Sequence, residues 1–362
     1  MNLKNKRILI VTYQINCAKN FLPIVEILKR SNQIFILSVD SSYLTWKNIK
    51  KINHIKLSKK NEIKKIIKKI SPDLLLTGTN AVDSIEYDFV KYSKENKIKT
   101  ISFIDNWNKI KGRFNFYNTQ ILPDKILIGD NYYRYYCKKA GIPDKLLINT
   151  GFPYFQYLYE KYKNYNNKNK KNNSLLQICF FSQPLQFTTT DSINYFGFNE
   201  NIVLSEIIKV LDDFSNSYKI KVKLNIKLHP RFYFESLKNI EEILKKNRIN
   251  KYLDVKITNS NELTLMLKNN IITGMFSTAL LEAAILNKPV IGCLFNYNKL
   301  VINFKYLNRY YLNVDTQNKF YNLLKDYYNE DKEKFYKNIN NLRKLYSNSI
   351  QKTLMVIDEV LK

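Results

Sequence analysis

The chain is poor in residues that interrupt or cross-link a fold. Of 362 residues, eight are glycine and eight are proline. That scarcity excludes collagen-like and linker-like composition and leaves most of the chain for regular elements. The four cysteines, Cys17, Cys137, Cys179 and Cys293, stand far apart in apolar surroundings. They lack the density of a disulfide framework and the spacing of a metal site, and read as buried thiols in a reducing compartment. With two histidines, His54 and His229, no His, Cys and carboxylate set has ligand spacing, so no metal is expected. No apolar run is long enough to span a bilayer. The first one, Arg7 to Tyr13, is too short for the core of a cleaved signal and reads as a β-strand. A cytoplasmic protein is the expectation. Also absent are an Asp-x-Asp at a strand end, the glycine fingerprint of dinucleotide folds, a Walker loop and a Gly-x-Ser-x-Gly elbow.

Lysine is what the chain has in excess, and the formal net charge is +28. Such a charge is compatible with nucleic acid, anionic lipid or an acidic substrate. Phosphate- and base-reading surfaces lean on arginine, which is scarce here, so nucleic acid is not an expected partner. The lysines read as spread along the solvent faces of predicted helices without gathering in one stripe. A weak peripheral attraction to the anionic inner face of the membrane fits the charge.

At 45% apolar, the chain has the composition of a globular protein and the length of two medium domains. Short Ile- and Leu-rich runs at 7–13, 34–39, 73–79, 99–105, 125–130 and 146–150 read as strands buried on both faces of a parallel sheet. Helical patterns lie between them near 18–30, 58–69, 82–96 and 131–140. Residues 162–174 are almost wholly polar and aperiodic, which suits a linker. Beyond them the plan repeats. Strands are predicted at 176–182, 221–228, 254–258, 271–275 and 289–294, and helices at 200–215, 233–247, 261–269 and 277–287, with tail helices at 317–328 and 331–361. The expected fold class is therefore α/β, with two Rossmann-like doubly wound domains facing across a cleft. Residues 1–161 would form the first domain, 162–174 the linker, 175–316 the second domain, and 317–362 C-terminal helices that could pack back on the first.

The sequence reads as organised around residues 226–295. Here Ile226-Lys227-Leu228-His229-Pro230-Arg231 ends one predicted strand. His229 emerges at the strand end as a phosphate donor, Pro230 stiffens the turn, and Arg231 adds a second donor. A second predicted strand runs through Gly274 into Ser277-Thr278, where a helix N-terminus can hold an anion. Glu282, one turn into that helix, is placed to accept bonds from a ribose diol. Ser182 and Gln183 end the first strand of the second half, where their donors could face the same ligand. In the first half, Thr77-Gly78-Thr79 ends a buried strand in small residues suited to substrate contact. Asp105 ends the next strand and, with Glu86, is the candidate proton acceptor. Trp107 could stack on a sugar face, and Arg113 could pair with an acidic acceptor or with Asp105. The bland alternatives for these residues are turn, cap and loop roles.

The His-Pro, the Ser-Thr-x-x-x-Glu-Ala helix start and Lys288-Pro289-Val290 resemble the GT-B-fold glycosyltransferases, above all bacterial enzymes of capsule and lipopolysaccharide assembly. The series Thr77-Gly78-Thr79, Glu86, Asp105-Asn106-Trp107 and Arg113-Phe114 is similar to the first domain of members of such clusters. The resemblance implies a metal-independent transferase. Its second domain would bind a nucleotide sugar, a CMP- or UDP-sugar before others, and its first domain a glycan or lipid-linked acceptor. It further implies that His229, Ser277 and Thr278 hold phosphate, Glu282 the ribose, and that Asp105 or Glu86 is the base. The glutamate that retaining members carry eight residues before the helix glutamate is replaced by Gly274, which leans the expectation toward inversion. The alternatives on the same fold are a UDP-sugar 2-epimerase and a CDP-polyol phosphotransferase. A non-catalytic basic polyanion-binding protein is the alternative of a different class.

Overall fold

A computed structural model describes residues 3–57, 59–81, 83–106, 109–165, 175–229, 232–246 and 249–362. The chain divides into two compact units, Met1–Tyr157 with Lys344–Lys362, and Leu158–Arg343.

Unit 1 is built on strands β1 (Arg7–Thr12), β2 (Gln33–Ser38), β3 (Asn53–Ile55), β4 (Leu74–Thr77), β5 (Lys99–Phe103), β6 (Asn115–Phe116), β7 (Thr119–Gln120), β8 (Lys125–Ile128) and β9 (Leu147–Asn149). Among the described residues, seven of them form a sheet in the order β3-β2-β1-β4-β5-β8-β9, and β6 and β7 make a small antiparallel hairpin. Every pairing in the large sheet is parallel. Ile8, Leu9, Ile10 and Val11 are fully buried, which is why the central strand reads as a continuous apolar run without alternation. The helices of this half are α1 (Ile15–Leu28), α2 (Tyr43–Trp46), α3 (Ile63–Ile70), α4 (Ile85–Glu95), α5 (Ile110–Arg113), α6 (Asn131–Lys139) and α7 (Pro153–Tyr162).

Unit 2 repeats the design with β10 (Leu175–Phe181), β11 (Lys221–Lys227), β12 (Leu253–Ile257), β13 (Ile271–Gly274), β14 (Val290–Cys293) and β15 (Leu312–Val314), in the order β12-β11-β10-β13-β14-β15. These pairings too are parallel. Its helices are α8 (Leu185–Thr188), α9 (Ser192–Phe196), α10 (Glu200–Tyr218), α11 (Tyr233–Lys246), α12 (Glu262–Lys268), α13 (Thr278–Ile285), α14 (Phe304–Leu307), α15 (Gln317–Tyr328) and α16 (Glu333–Tyr336). After α17 (Ile339–Tyr346), the last helix α18 (Ser349–Leu361) belongs to unit 1. There the Phe152 N–H donates to the Leu345 carbonyl at 2.7 Å, and the Ile350 N–H to Gln156 Oε1 at 2.9 Å.

The strand order marks where each sheet offers a crevice. In each sheet the chain winds outward to one edge, then returns to the other side of its first strand. The switch points lie between β1 and β4, and between β10 and β13. In open parallel sheets the crevice at the carboxyl ends of such a pair is the natural ligand site.

The structure differs from expectation in four places. The region of His54, where no strand is predicted, is the short edge strand β3, held by pairing with β2. Residues 312–314, likewise outside every predicted strand, pair with β14 as β15. The helix expected from residue 82 starts at Ile85, because the Asp83 N–H donates to Asn80 Oδ1 at 2.7 Å and the Ile85 N–H to Asp83 Oδ1 at 2.8 Å, forming turns ahead of it. The tail segment 331–361 is three helices, with Asn348 in a left-handed conformation (φ 57°) before α18. Of the polar segment 162–174, Tyr162 closes α7, and 166–174 lie outside the described residues.

Candidate functional site

At the unit 2 switch point, β10 ends at Phe181 beside Gly274 of β13. A Cβ on Gly274 would lie 2.9 Å from the Phe181 carbonyl oxygen, so the absence of a side chain lets the two strand ends close. The chain then leaves β10 through Ser182 and Gln183, and β13 through Met275 and Phe276. The Phe276 N–H donates to Gln183 Oε1 at 3.4 Å, tying the two exits together. Ser182 is buried, and its N–H donates to the Lys227 carbonyl at the end of β11. His229, half-buried, lies two residues past the end of β11, the strand on the other side of β10. Pro230 and Arg231 lie outside the described residues.

Ser277 is the N-cap residue of α13, with extended backbone (φ −74°, ψ 156°), yet its side chain makes no cap hydrogen bond. Its Oγ is buried and has no hydrogen-bond partner. Ser277 therefore stands at the helix start in the N-cap position, but without the side-chain bond of an ordinary cap. The Ser277 hydroxyl is thus a buried group without a partner at the positive end of a helix. A phosphate oxygen there would satisfy it. Glu282 is buried, one turn further along α13. Lys288, in the segment that carries the resemblance, lies past the opposite end of α13. Its Nζ donates to the carbonyls of Leu267 (2.6 Å) and Asn269 (3.2 Å), and burial lowers its pKa to about 8. Its role is to fasten the end of α12 to the entry of β14.

At the unit 1 switch point, a polar cluster closes over the ends of β1, β4 and β5. Glu86, in the first turn of α4, is buried. Its Oε1 accepts from the Tyr13 N–H at 3.0 Å, just past β1, and its Oε2 from Asn80 Nδ2 at 2.9 Å. Burial raises its pKa to about 7. The two hydrogen bonds and Arg113 pull it down, while Asp105 adds to the rise. Arg113 Nη1 donates to Asp105 Oδ1 at 3.0 Å and to Thr79 at both its carbonyl (2.6 Å) and its Oγ1 (3.1 Å). Both members of the ion pair are buried. Of the two roles expected for Arg113, the structure shows the pairing with Asp105. Thr77, Gly78, Thr79, Glu86 and Arg113 line one cavity of about 10 Å³, space for a water. Trp107 lies outside the described residues. Among the described residues no group of three or more His, Cys, Asp or Glu could hold a metal ion.

Sequence reasoning missed three contributors. Asn80 clamps Glu86. Cys17 packs against Gly78, with its thiol pKa raised by burial and by Asp105 and Glu86. Glu200, at the start of α10, is buried and accepts from the Gln186 N–H at 3.2 Å beside the β10 exit. Glu200 carried a visible signal, an acid directly after a capping asparagine. Asn80 lies six residues before Glu86, in the turn ahead of α4, whereas Cys17 meets Gly78 through a crossing of distant parts of the chain.

No family model matches the chain, and no curated protein matches it. Among solved structures it is similar to UDP-GlcNAc 2-epimerase from Neisseria meningitidis bound to UDP-GlcNAc. That likeness has a TM-score of 0.64 at 13% identity, over 98% of this chain and 100% of that one. It is similar also to the UDP-GlcNAc 2-epimerase of Methanocaldococcus jannaschii, with a TM-score of 0.63 at 13% identity, over 97% and 98%. A third likeness is to HepE of Anabaena in complex with UDP and glucose, with a TM-score of 0.61 at 10% identity, over 98% and 99%. The fold is thus α/β with two Rossmann-like domains, of the GT-B-like kind.

Proposed function

We propose that this protein is an enzyme acting on a nucleotide sugar, with 2-epimerisation of a UDP-sugar as its reaction. The observation that carries the nucleotide assignment is the unpartnered Ser277 hydroxyl at the α13 N-terminus, set at a topological switch point. In this reading Ser277, Thr278 and His229 hold the diphosphate, with Pro230 and Arg231 as further phosphate-binding residues. Glu282 accepts from the ribose, and Ser182 and Gln183 close the site. The reaction assignment is supported by the full-length likeness to two UDP-GlcNAc 2-epimerases. UDP is favoured over CMP because the similar proteins were captured with UDP or a UDP-sugar.

Epimerisation removes a proton from C2 of the sugar on one face and returns one on the other, leaving the composition unchanged. That chemistry requires an acid–base group that exchanges protons near neutral pH. Glu86, with a pKa raised to about 7, fits that requirement. Asp105, fixed by Arg113 and Thr79, supplies the neighbouring negative charge.

The second reading is glycosyl transfer to a glycan or lipid-linked acceptor, favoured by the sequence pattern of 226–295. Incubation with UDP-GlcNAc in deuterium oxide, without acceptor, distinguishes the two. The 2-epimerase reading predicts deuterium at C2 and appearance of the 2-epimer by NMR. No C2 exchange, with UDP released only once a glycan or lipid-linked acceptor is added and the sugar found on that acceptor, would transfer the assignment to glycosyl transfer. Failure of any nucleotide to stabilise the fold in a panel of CMP, UDP, GDP, CDP and ADP would overturn both.

A further inference from the structure

The lysines are not evenly spread, contrary to the sequence-based expectation. Residues 43–70 hold ten lysines, no arginine and a single acid, Glu62, a net of +9 where the whole chain carries +28. All ten lysines are exposed. Lys60 is held by Asp83 at 2.9 Å.

The fold turns this segment into one edge of unit 1. Helix α3 buries Ile63, Ile67 and Ile70 and presents Lys64, Lys65, Lys68 and Lys69 to solvent. Strand β3, between α2 and α3 in the chain, is the outermost strand of its sheet. On α2, Tyr43 and Leu44 are 54% and 48% exposed. That short helix is anchored, because Trp46 is fully buried and its Nε1 donates to Thr12 Oγ1 at 3.1 Å.

Lysine often guards a sheet edge against strand addition. Three residues of β3 do not require ten, and guarding an edge gives no reason to expose a tyrosine and a leucine beside them. Nucleic-acid surfaces favour the planar fork of arginine, absent here. Helix α3 packs on the sheet face of Leu9, Val11 and Leu37, and α2 packs beside α1 on the other face, so that the α3 lysines and the exposed Tyr43–Leu44 pair stand on the two sides of edge strand β3. Such an edge matches an anionic bilayer surface met edge-on, where the ammonium groups meet headgroups and the apolar pair enters the interfacial layer. We propose that the 43–70 edge of unit 1 docks on an anionic lipid bilayer. The inference does not rest on the nucleotide site, and its test does not use it.

The test is co-sedimentation of the full chain with phosphatidylcholine vesicles, with and without about one-third phosphatidylglycerol, at about 0.15 M salt. The wild type is expected to bind the anionic vesicles and not the neutral ones. A variant with Lys64→Glu, Lys65→Glu, Lys68→Glu and Lys69→Glu should lose more than about a hundredfold in partition, at about fivefold per lysine. The control is Lys238→Glu, Lys245→Glu, Lys246→Glu and Lys251→Glu, four exposed lysines of unit 2 with the same change in net charge. It should lose less than about a tenth of that factor. The same four α3 positions changed to Gln serve if the Glu variant loses its thermal unfolding transition. Tyr43→Ser with Leu44→Ser should weaken vesicle binding about tenfold and leave binding to a single-stranded RNA unchanged. Equal losses in the α3 and control variants would show diffuse charge and overturn the proposal. So would failure of the wild type to bind anionic vesicles, or RNA binding as tight as vesicle binding that is lost in the same α3 variant.

Discussion

Arg113 reaches back from α5 to Asp105 at 3.0 Å and joins the ends of β4 and β5 through the carbonyl and hydroxyl of Thr79. One guanidinium thus fixes the geometry of two adjacent strand exits. Removing one partner of a buried, hydrogen-bonded ion pair leaves the other charge uncompensated, at a cost of about 3–5 kcal/mol. Arg113→Leu should therefore lower the stability of the chain by about that amount in urea unfolding. Arg113→Lys should recover part of the loss, because it restores charge without the planar fork. Equal stability of wild type and Arg113→Leu would mean that the pair does not organise this edge.

Glu86 gives a pH dependence with a definite sign. Its carboxyl titrates near 7 in the folded chain, above the ordinary value of 4.5, because burial penalises the charged form. Between these values the folded state holds more protons than the unfolded state, so stability falls as pH rises from about 4.5 to about 7 and is flat beyond. The swing is on the order of 3 kcal/mol. Glu86→Gln should flatten the stability profile over that window. In the proposed reaction it should also remove an acid–base limb near pH 7 from the rate profile. An unchanged slope of stability against pH in the variant would assign the titration elsewhere.

Gly78 is constrained by close approach. A Cβ there would collide with Glu86 Oε1 and lie 2.7 Å from Cys17 Cβ. Both neighbours are held, Glu86 by two hydrogen bonds and Cys17 by full burial in α1. Gly78→Ala should cost about 1–3 kcal/mol, as overpacking does in a tight interior. It should also lower the pH at which Glu86 titrates if the carboxylate is displaced toward water, which NMR titration of the side chain would show.

The parallel sheets were legible because buried strands print continuous apolar runs, as Arg7–Thr12 does, and the helices between them print their own period. The strand ends carrying Asp105, His229 and Ser277 were legible for the same reason. Short edge elements were not: β3 and β15 are three residues each, stabilised by a neighbour and not by local pattern. Nor was the Tyr13 N–H as a partner of Glu86, since the two residues meet only after β1 and β4 pair. The state of the Ser277 hydroxyl was hidden as well. Sequence marks serine as a capping residue, and whether the cap bond forms depends on local geometry.

That hydroxyl separates a structural role from a binding role. At an ordinary N-cap, replacing serine with alanine costs about 0.5–2 kcal/mol. Ser277 makes no cap bond, and its Oγ is buried without a partner. Ser277→Ala should therefore leave the unliganded chain as stable as the wild type, or more stable by about 1 kcal/mol, because an unsatisfied buried group is removed. Nucleotide binding should move the opposite way. Loss of one donor to a phosphate oxygen, at about 1.5–3 kcal/mol for a charged acceptor, weakens binding roughly tenfold to a hundredfold. A thermal-shift titration with UDP on both proteins reads the two quantities together. A higher transition without ligand and a smaller ligand-induced shift in Ser277→Ala would place the phosphate at the α13 N-terminus. A destabilised variant that binds UDP as the wild type does would make Ser277 an ordinary cap and move the phosphate site away from this helix.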